Sequence, residues 1–339
     1  MDTPPLLNCG SHTWYLGVGL MDRDDHKAPL HMASWMQRTW KGHKPHFVGV
    51  HVTHEPMPKA VGHKTKERFG QVLRVASVEA MVECGLDPSN TVELAEDRDV
   101  AQALADAAKD PSAYGMIVGR RAASLDRSLI RLGVHTRRLL WKIPRPVMVV
   151  PADVGRDGPG EGPVLVATDL SPKSQHAVEV AAYLAAGLGR ELVAVLAIPM
   201  FDEATAMGDG VGVPLHDSLH QKGAAEIEGW ALRHKVPASR VVVVEGDPAR
   251  AIADLAGKEK ACLVVAGTRG FGPVLRTLIG SVSADLAAAS PAPVLIVPTV
   301  EAQIEADEDA KAEAHANADL DRASGGILWE SVPGYPRVV

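Results

Sequence analysis

Two hydrophobic periods alternate along this chain. Short apolar runs recur, among them Val164-Leu165-Val166-Ala167-Thr168, Glu191 to Ile198, Val241-Val242-Val243-Val244, Cys262-Leu263-Val264-Val265-Ala266 and Val294-Leu295-Ile296-Val297. Their length, bounded by Gly, Pro and Asp, suits strands buried on both faces. Segments of helical spacing lie between them. Ser171-Pro172 opens a helix that runs through Leu188, with Gly189 as its stop signal. Residues 199–215 are rich in Gly, Pro and Asp and read as a loop, followed by a helix from about His216 to His234. Gly246-Asp247-Pro248 starts another, with Asp247 at the N-cap and Pro248 at the first helical position. Strands alternating with helices imply a parallel sheet with helices on both faces, an α/β fold.

The same plan occurs earlier in the chain, less regularly. Ala103-Leu104-Ala105-Asp106 matches Ala251-Ile252-Ala253-Asp254, Gly119 matches Gly267, Gly133 matches Gly280 and Pro151 matches Pro298, all at an offset of about 148 residues. Strands are expected at Trp14–Leu20, Phe47–Val52, Thr91–Leu94, Met116–Val118 and Arg145–Pro151, with helices at about Lys64–Cys84 and Ala101–Ala108. The chain therefore divides into a first domain over 1–152, a Gly-rich linker over 153–163 expected to be flexible, a second domain over 164–299, and a tail over 300–339.

The segment from Ala261 to Pro298 carries the chemistry. After the strand at 262–266 come Gly267, two residues, Gly270, nine residues, then Gly280-Ser281. Glycines let the backbone approach a ligand, and Ser281 is expected to cap a helix with Val282, Leu286 and Ala289 at its apolar spacing. A helix N-terminus behind a glycine loop binds anions through free N–H groups and the dipole. No Gly-x4-Gly-Lys-Ser/Thr occurs, which argues against an ordinary P-loop. Gly267, Gly270 and Gly272 approach the dinucleotide fingerprint, but the helix starts too late for it.

Gly-x2-Gly-x9-Gly-Ser between two buried strands resembles the universal stress protein family, in its ATP-binding branch. The resemblance implies two tandem open five-stranded parallel-sheet domains, each with strand order 3-2-1-4-5. It implies ATP, with Mg2+, bound where the order reverses between the first and fourth strands of the second domain. Asp169 would meet the adenine or ribose side, with Ala167 and Thr168 on the same edge. Ile198, with Ala197, would offer backbone groups to adenine. Ala266, Gly267, Arg269 and Gly270 would wrap the ribose and first phosphates, and Gly280, Ser281, Val282 and Ser283 would hold the phosphates. The bland reading of Asp169 is a turn or N-cap residue before Ser171-Pro172. The first domain departs from the pattern: Ala122 stands at the second glycine, Val134 replaces the serine, and Asp22 is out of register. Little or no ATP is expected there.

Composition narrows the functional classes. The chain has 339 residues, 46% hydrophobic but only 4% aromatic, so aliphatic side chains and alanine must fill the cores. A net charge of −7 argues against a nucleic-acid binder. No apolar run is long enough for a membrane span, and Cys9, Cys84 and Cys262 form neither a disulfide framework nor a zinc motif. A reduced, cytoplasmic setting is expected. His43, His46, His51, His54 and His63 crowd the first domain, and His51 and His54 fall at a strand end with two residues between them. With no second ligand pair they read as surface histidines and no metal site is expected, a zinc or nickel site being the alternative. Arg120, Arg121, Arg127, Arg131, Arg137 and Arg138 read as a solvated basic face, with a second anion or a partner as the alternative. Glu301 to Asp321 reads as an acidic helix. The later Ile327-Leu328-Trp329 either docks on the body or stays solvated.

No catalytic triad or motif-placed carboxylate pair is present, so no catalytic residue is assigned; the resemblance leaves weak ATP hydrolysis open. Two functions stand. One is an ATP-binding, nucleotide-dependent stress-response switch with a single competent site. The other is a non-catalytic scaffold or partner-binding module with a vestigial nucleotide site. The closing strands, Val147–Val150 and Val294–Val297, are expected to pair within one chain as a pseudo-dimer. Further pairing into a homodimer, and the signalling partner, are open at this level.

Overall fold

The computed structural model describes residues 13–17, 27–52, 63–87, 91–94, 100–110, 112–120, 134–142, 145–198, 200, 212–268 and 280–300. Ten strands lie among them: β1 (Thr13–Gly17), β2 (His46–Val52), β3 (Thr91–Leu94), β4 (Ala113–Gly119), β5 (Val147–Val150), β6 (Val164–Ala167), β7 (Leu192–Ile198), β8 (Arg240–Glu245), β9 (Leu263–Gly267) and β10 (Val294–Val297). The helices are α1 (Ala28–Thr39), α2 (His63–Glu83), α3 (Val100–Ala107), α4 (Val134–Lys142), α5 (Gln175–Leu188), α6 (Gly212–Arg233), α7 (Pro248–Lys258) and α8 (Ser281–Ala289).

All ten strands form one sheet in the order β3-β2-β1-β4-β5-β10-β9-β6-β7-β8. Each half is a five-stranded unit of the expected order, and the closing strands, expected to pair within the chain, do so and join the two halves into a single sheet. Within each half the first strand is flanked by the second and the fourth. The halves meet where β10 runs antiparallel to β5, Val294 opposite Val149 and Ile296 opposite Val147. The other pairs are parallel. Each closing strand is apolar at all four positions and fully buried, so pairing them removes two sheet edges at once.

Alternation along the strands divides the core. Met148, Val150, Val164, Val166, Leu263, Val265, Leu295 and Val297 face α1, α2, α5 and α6. Val147, Val149, Leu165, Val264, Ala266, Val294 and Ile296 face α3, α4, α7 and α8. Each such Val, Leu, Ile or Met side chain is worth about 1.5–3 kcal/mol on full burial, and both faces contribute. The result is a three-layer α/β/α molecule.

Local signals set several boundaries. Asp247 caps α7, its carboxylate accepting the Arg250 N–H at 3.0 Å, with Pro248 as first helical residue. Gly189 closes α5 in the left-handed region, φ 63°. Ser171-Pro172 opens a single turn of 3-10 helix over Pro172–Ser174 before α5 begins.

Residues 153–163, expected to be a flexible linker, are anchored to the body at several points, while 153, 155–157 and 161 are exposed. Val154 is buried. Gly158, at φ +93°, lies so close to the Trp35 indole that a Cβ would overlap it. The Gly162 N–H donates to the Lys260 carbonyl at 2.9 Å, and Arg38 donates to the Arg156 carbonyl at 2.6 Å. The glycines here permit close approach rather than mobility. The same side carries further contacts between the halves. Lys41 N–H donates to the Gly187 carbonyl at 2.6 Å, and Tyr183 packs against both Trp40 and Tyr114, ring centroids 5.6 and 5.9 Å apart.

Candidate functional site

β6 and β9 are neighbours, with Ala167 opposite Ala266, yet the chain leaves β6 to build β7 on the other side. Helices α5 and α8, which follow these two strands, lie on opposite faces of the sheet. A crevice beyond the carboxyl ends of two such strands is where open α/β sheets bind ligands. Ala167, Thr168, Asp169, Ala266, Gly267, Gly280, Ser281, Val282 and Ser283 all belong to segments converging on this edge. Arg269 and Gly270 lie outside the described residues.

The turn after β6 is held by its own side chains. Thr168 N–H donates to the Val195 carbonyl at 3.0 Å, extending the sheet by one residue. Thr168 Oγ1 accepts the Leu170 N–H at 3.0 Å and shares a hydrogen bond with Ser174 Oγ at 2.9 Å. Asp169 Oδ1 accepts the Ser171 N–H at 3.1 Å. Leu170 sits at φ 62°, a left-handed conformation that costs a non-glycine residue about 1–2 kcal/mol. Three local bonds hold it there. Thr168 is therefore a buried turn-builder. Asp169 forms the turn that its bland reading expects, using one oxygen of its half-exposed carboxylate. Ser171 is 2% exposed, and its Oγ has no hydrogen-bond partner among the described residues.

On the β9 side, Gly280 N–H donates to the Thr268 carbonyl at 2.7 Å, so the chain returns to the strand end it left. A Cβ at Gly280 would stand 3.1 Å from that carbonyl. This close approach makes Gly280 the N-cap of α8, in extended geometry, and places Ser281 inside the helix. The expectation that Ser281 caps is thus corrected. Gly280 has no side chain with which to cap α8, and no other side chain among the described residues does so, which leaves first-turn N–H groups that suit an anion. The expected apolar positions also shift: Ser283, Leu286, Ala287 and Ala288 are buried, whereas Val282 is 38% exposed and Ala289 faces solvent. Ser283 Oγ donates to the Gly267 carbonyl at 2.6 Å and locks the helix to the strand end. At the end of β7, the Ile198 carbonyl already accepts the Gly246 N–H at 3.0 Å.

The corresponding end of the first half is built differently. Arg120 follows β4, where Thr268 follows β9. Each donates its N–H to the neighbouring closing strand, Arg120 to Val150 at 2.7 Å and Thr268 to Val297 at 2.9 Å. The Arg120 side chain then crosses to the second half, donating to the carbonyls of Ala287, at 3.1 Å, and Ala288 at the end of α8. Burial works against its charge, while Asp153 nearby supports it. Arg120 is therefore a helix-end cation joining the halves, not part of a solvated basic face. Arg121, Arg127 and Arg131 lie outside the described residues; Arg137 and Arg138 are exposed. His43 and His46 are exposed, His54 lies outside the described residues, and no group of three His, Cys, Asp or Glu able to hold a metal occurs among those described.

Comparison with known proteins identifies the family and the fold. A sequence profile described as the universal stress protein family matches residues 162–298. A universal stress protein of Thermus aquaticus is 34% identical over 143 residues, covering 40% of this chain and 96% of the relative. One from Mycobacterium tuberculosis is 32% identical over 167 residues, covering 49% of this chain and 55% of the relative. The match thus spans about half the length of that mycobacterial protein. Among solved structures, a universal stress protein from Archaeoglobus fulgidus superposes with a TM-score of 0.59 at 19% identity, over 85% of this chain and 99% of its own. The chain belongs to the universal stress protein family. No helix among the described residues is long and apolar enough to cross a membrane.

Proposed function

We propose that this protein binds ATP, with Mg2+, at the crevice between the ends of β6 and β9, and acts as a nucleotide-dependent stress-response switch in the cytoplasm. The observation that carries this reading is the uncapped N-terminus of α8, folded back onto Thr268 beside the turn that presents Asp169. The residues fit an adenine nucleotide. The amides of Ser281, Val282 and Ser283 suit phosphate. The second carboxylate oxygen of the half-exposed Asp169 suits the polar edge of a nucleoside. Gly267 permits close approach, and Arg269 and Gly270 complete the loop on the sequence pattern. Ala167, Ala266 and Ile198 supply apolar and backbone surface. Bound ATP would supply charge at the helix end and thereby a difference between two states of the loop. No residue here is assigned a part in hydrolysis.

The chain is read as a tandem, 1–152 and 164–299, joined by 153–163 and followed by the acidic tail 300–339. The common strand order of the two halves and the sequence offset support this. The pairing of β5 with β10 supports reading it as an intramolecular pseudo-dimer. The scaffold reading draws support from Ser283, whose hydroxyl is already committed to Gly267.

Amide hydrogen exchange with and without Mg-ATP tests the site. ATP is expected to slow exchange at Gly267, Thr268 and Gly280–Ser283, and to leave the corresponding β4–α4 region unchanged. Unaltered exchange at 280–283 under saturating ATP would overturn the assignment.

A further inference from the structure

Helix α2 has an apolar face on each side, where a surface helix ordinarily has one. Ser77 and Met81 are buried, with Met81 in the core under the sheet. On the other side Val72, Val75 and Val82 are 63%, 55% and 55% exposed. Thr65, Arg68 and Glu79 are exposed with them. Along Thr65, Arg68, Val72, Val75, Glu79 and Val82 the spacing alternates three and four residues, the seam spacing of paired helices. At roughly 100° per residue, the seam lies opposite Ser77 and Met81, so the molecule's own core does not cover it.

The seam is complementary to itself. Let two copies of α2 run antiparallel about a twofold axis passing between residues 73 and 74. Val72 then faces Val75 of the second copy, Arg68 faces Glu79, and Thr65 faces Val82. Every contact occurs twice, as an isologous interface requires. A register moved by one heptad sets Arg68 against Val72, or Glu79 against Val75. A parallel pairing sets Arg68 against Arg68 and Glu79 against Glu79, which repels. Neither Arg68 nor Glu79 has an ion-pair partner among the described residues.

We propose that the outer face of α2 is a homodimer interface, occupied by α2 of a second copy in this antiparallel register. The Arg68–Glu79 pairs set direction and register, and the valines supply the apolar contact. The interface lies on a different surface from the β5–β10 junction, and so adds a second association to the one within the chain. A seam of six residues is small beside the interfaces of stable dimers, which bury about 800 Å² per partner. The dimer is accordingly expected to dissociate on dilution through the micromolar range.

Sedimentation of the full chain over a concentration series tests this. The wild type is expected to pass from monomer to dimer. Arg68→Glu creates two Glu–Glu contacts and should raise the dissociation constant about tenfold or more; Glu79→Arg should do the same. The double variant R68E/E79R restores both pairs and should return to near the wild-type value. Circular dichroism checks that these exposed substitutions leave the fold intact. A wild type that stays monomeric overturns the proposal, as does a dimer indifferent to Arg68→Glu or not rescued by the double variant. Exchange protection on α2 of a monomer, lost on removing residues 301–339, would give this face to the chain's own C-terminal segment and also overturn it.

Discussion

Asp169 shows how far a residue's chemistry follows from its neighbours. Its Oδ1 is committed to the Ser171 N–H, and the Thr168 hydroxyl holds the next residue in a left-handed turn. The turn reading and the ligand reading are thus compatible, one oxygen serving each. Cys262 is a contrasting case. It is 0% exposed, its Sγ lies 3.6 Å from the Pro163 carbonyl oxygen, and burial pushes its thiol from 9.0 up to about 12. Native Cys262 should resist alkylation at pH 8 and react once the chain is unfolded, as read by peptide mass mapping; rapid native labelling would contradict the burial. The sign of its linkage follows. The folded state holds the proton more tightly than the unfolded state, so this contribution is complete below about pH 9 and is lost as pH rises towards 12.

At the scale of elements, the junction between halves depends on small residues under large ones. Gly187 in α5 lies beneath the Trp40 ring, where a Cβ would overlap the indole. Gly187→Val should therefore destabilise the protein by about 1–3 kcal/mol in urea unfolding, and weaken contact between α1 and α5 before the strands are affected. An unchanged midpoint would mean that this helix contact is dispensable. Strands such as 263–267 and 294–297 were readable as short apolar runs buried on both faces; the valine run of β8 was readable too, but as an edge strand it is only partly buried throughout. The α7 cap was readable because Asp-Pro has one structural use at a helix start. Helix α1 was not foreseen. Ala28, Leu30, Met32, Ala33, Trp35 and Met36 are all buried, so the segment shows little amphipathic contrast. Residues 153–163 looked flexible because glycine permits both mobility and close packing, and the sequence alone cannot show Trp35 standing over Gly158. Ser281 was misplaced by one position for a related reason: the contact between Gly280 and the Thr268 carbonyl is tertiary.

At the scale of the whole molecule, the ten-stranded sheet gives both halves the same scaffold and different ends. The second half presents Gly267 at a strand end and Gly280 at the start of a helix that no side chain among the described residues caps. The first half sends Arg120 from the matching position into the C-terminal end of that same helix. A fold shared along the chain therefore does not imply a site in each half. The strand ends and the helix start at Gly280 were legible from the spacing of the glycines between two buried strands. The turn beside them, with its left-handed Leu170, was not, since a leucine carries no signal for that conformation. The most direct test of the central claim is the stoichiometry of ATP binding, measured by titration calorimetry with Mg2+ on the wild type and on Asp169→Ala. The account predicts one site per chain, weakened about tenfold or more by the substitution, which removes a charged hydrogen-bonding partner. Two sites per chain, no binding, or binding indifferent to Asp169→Ala would contradict it.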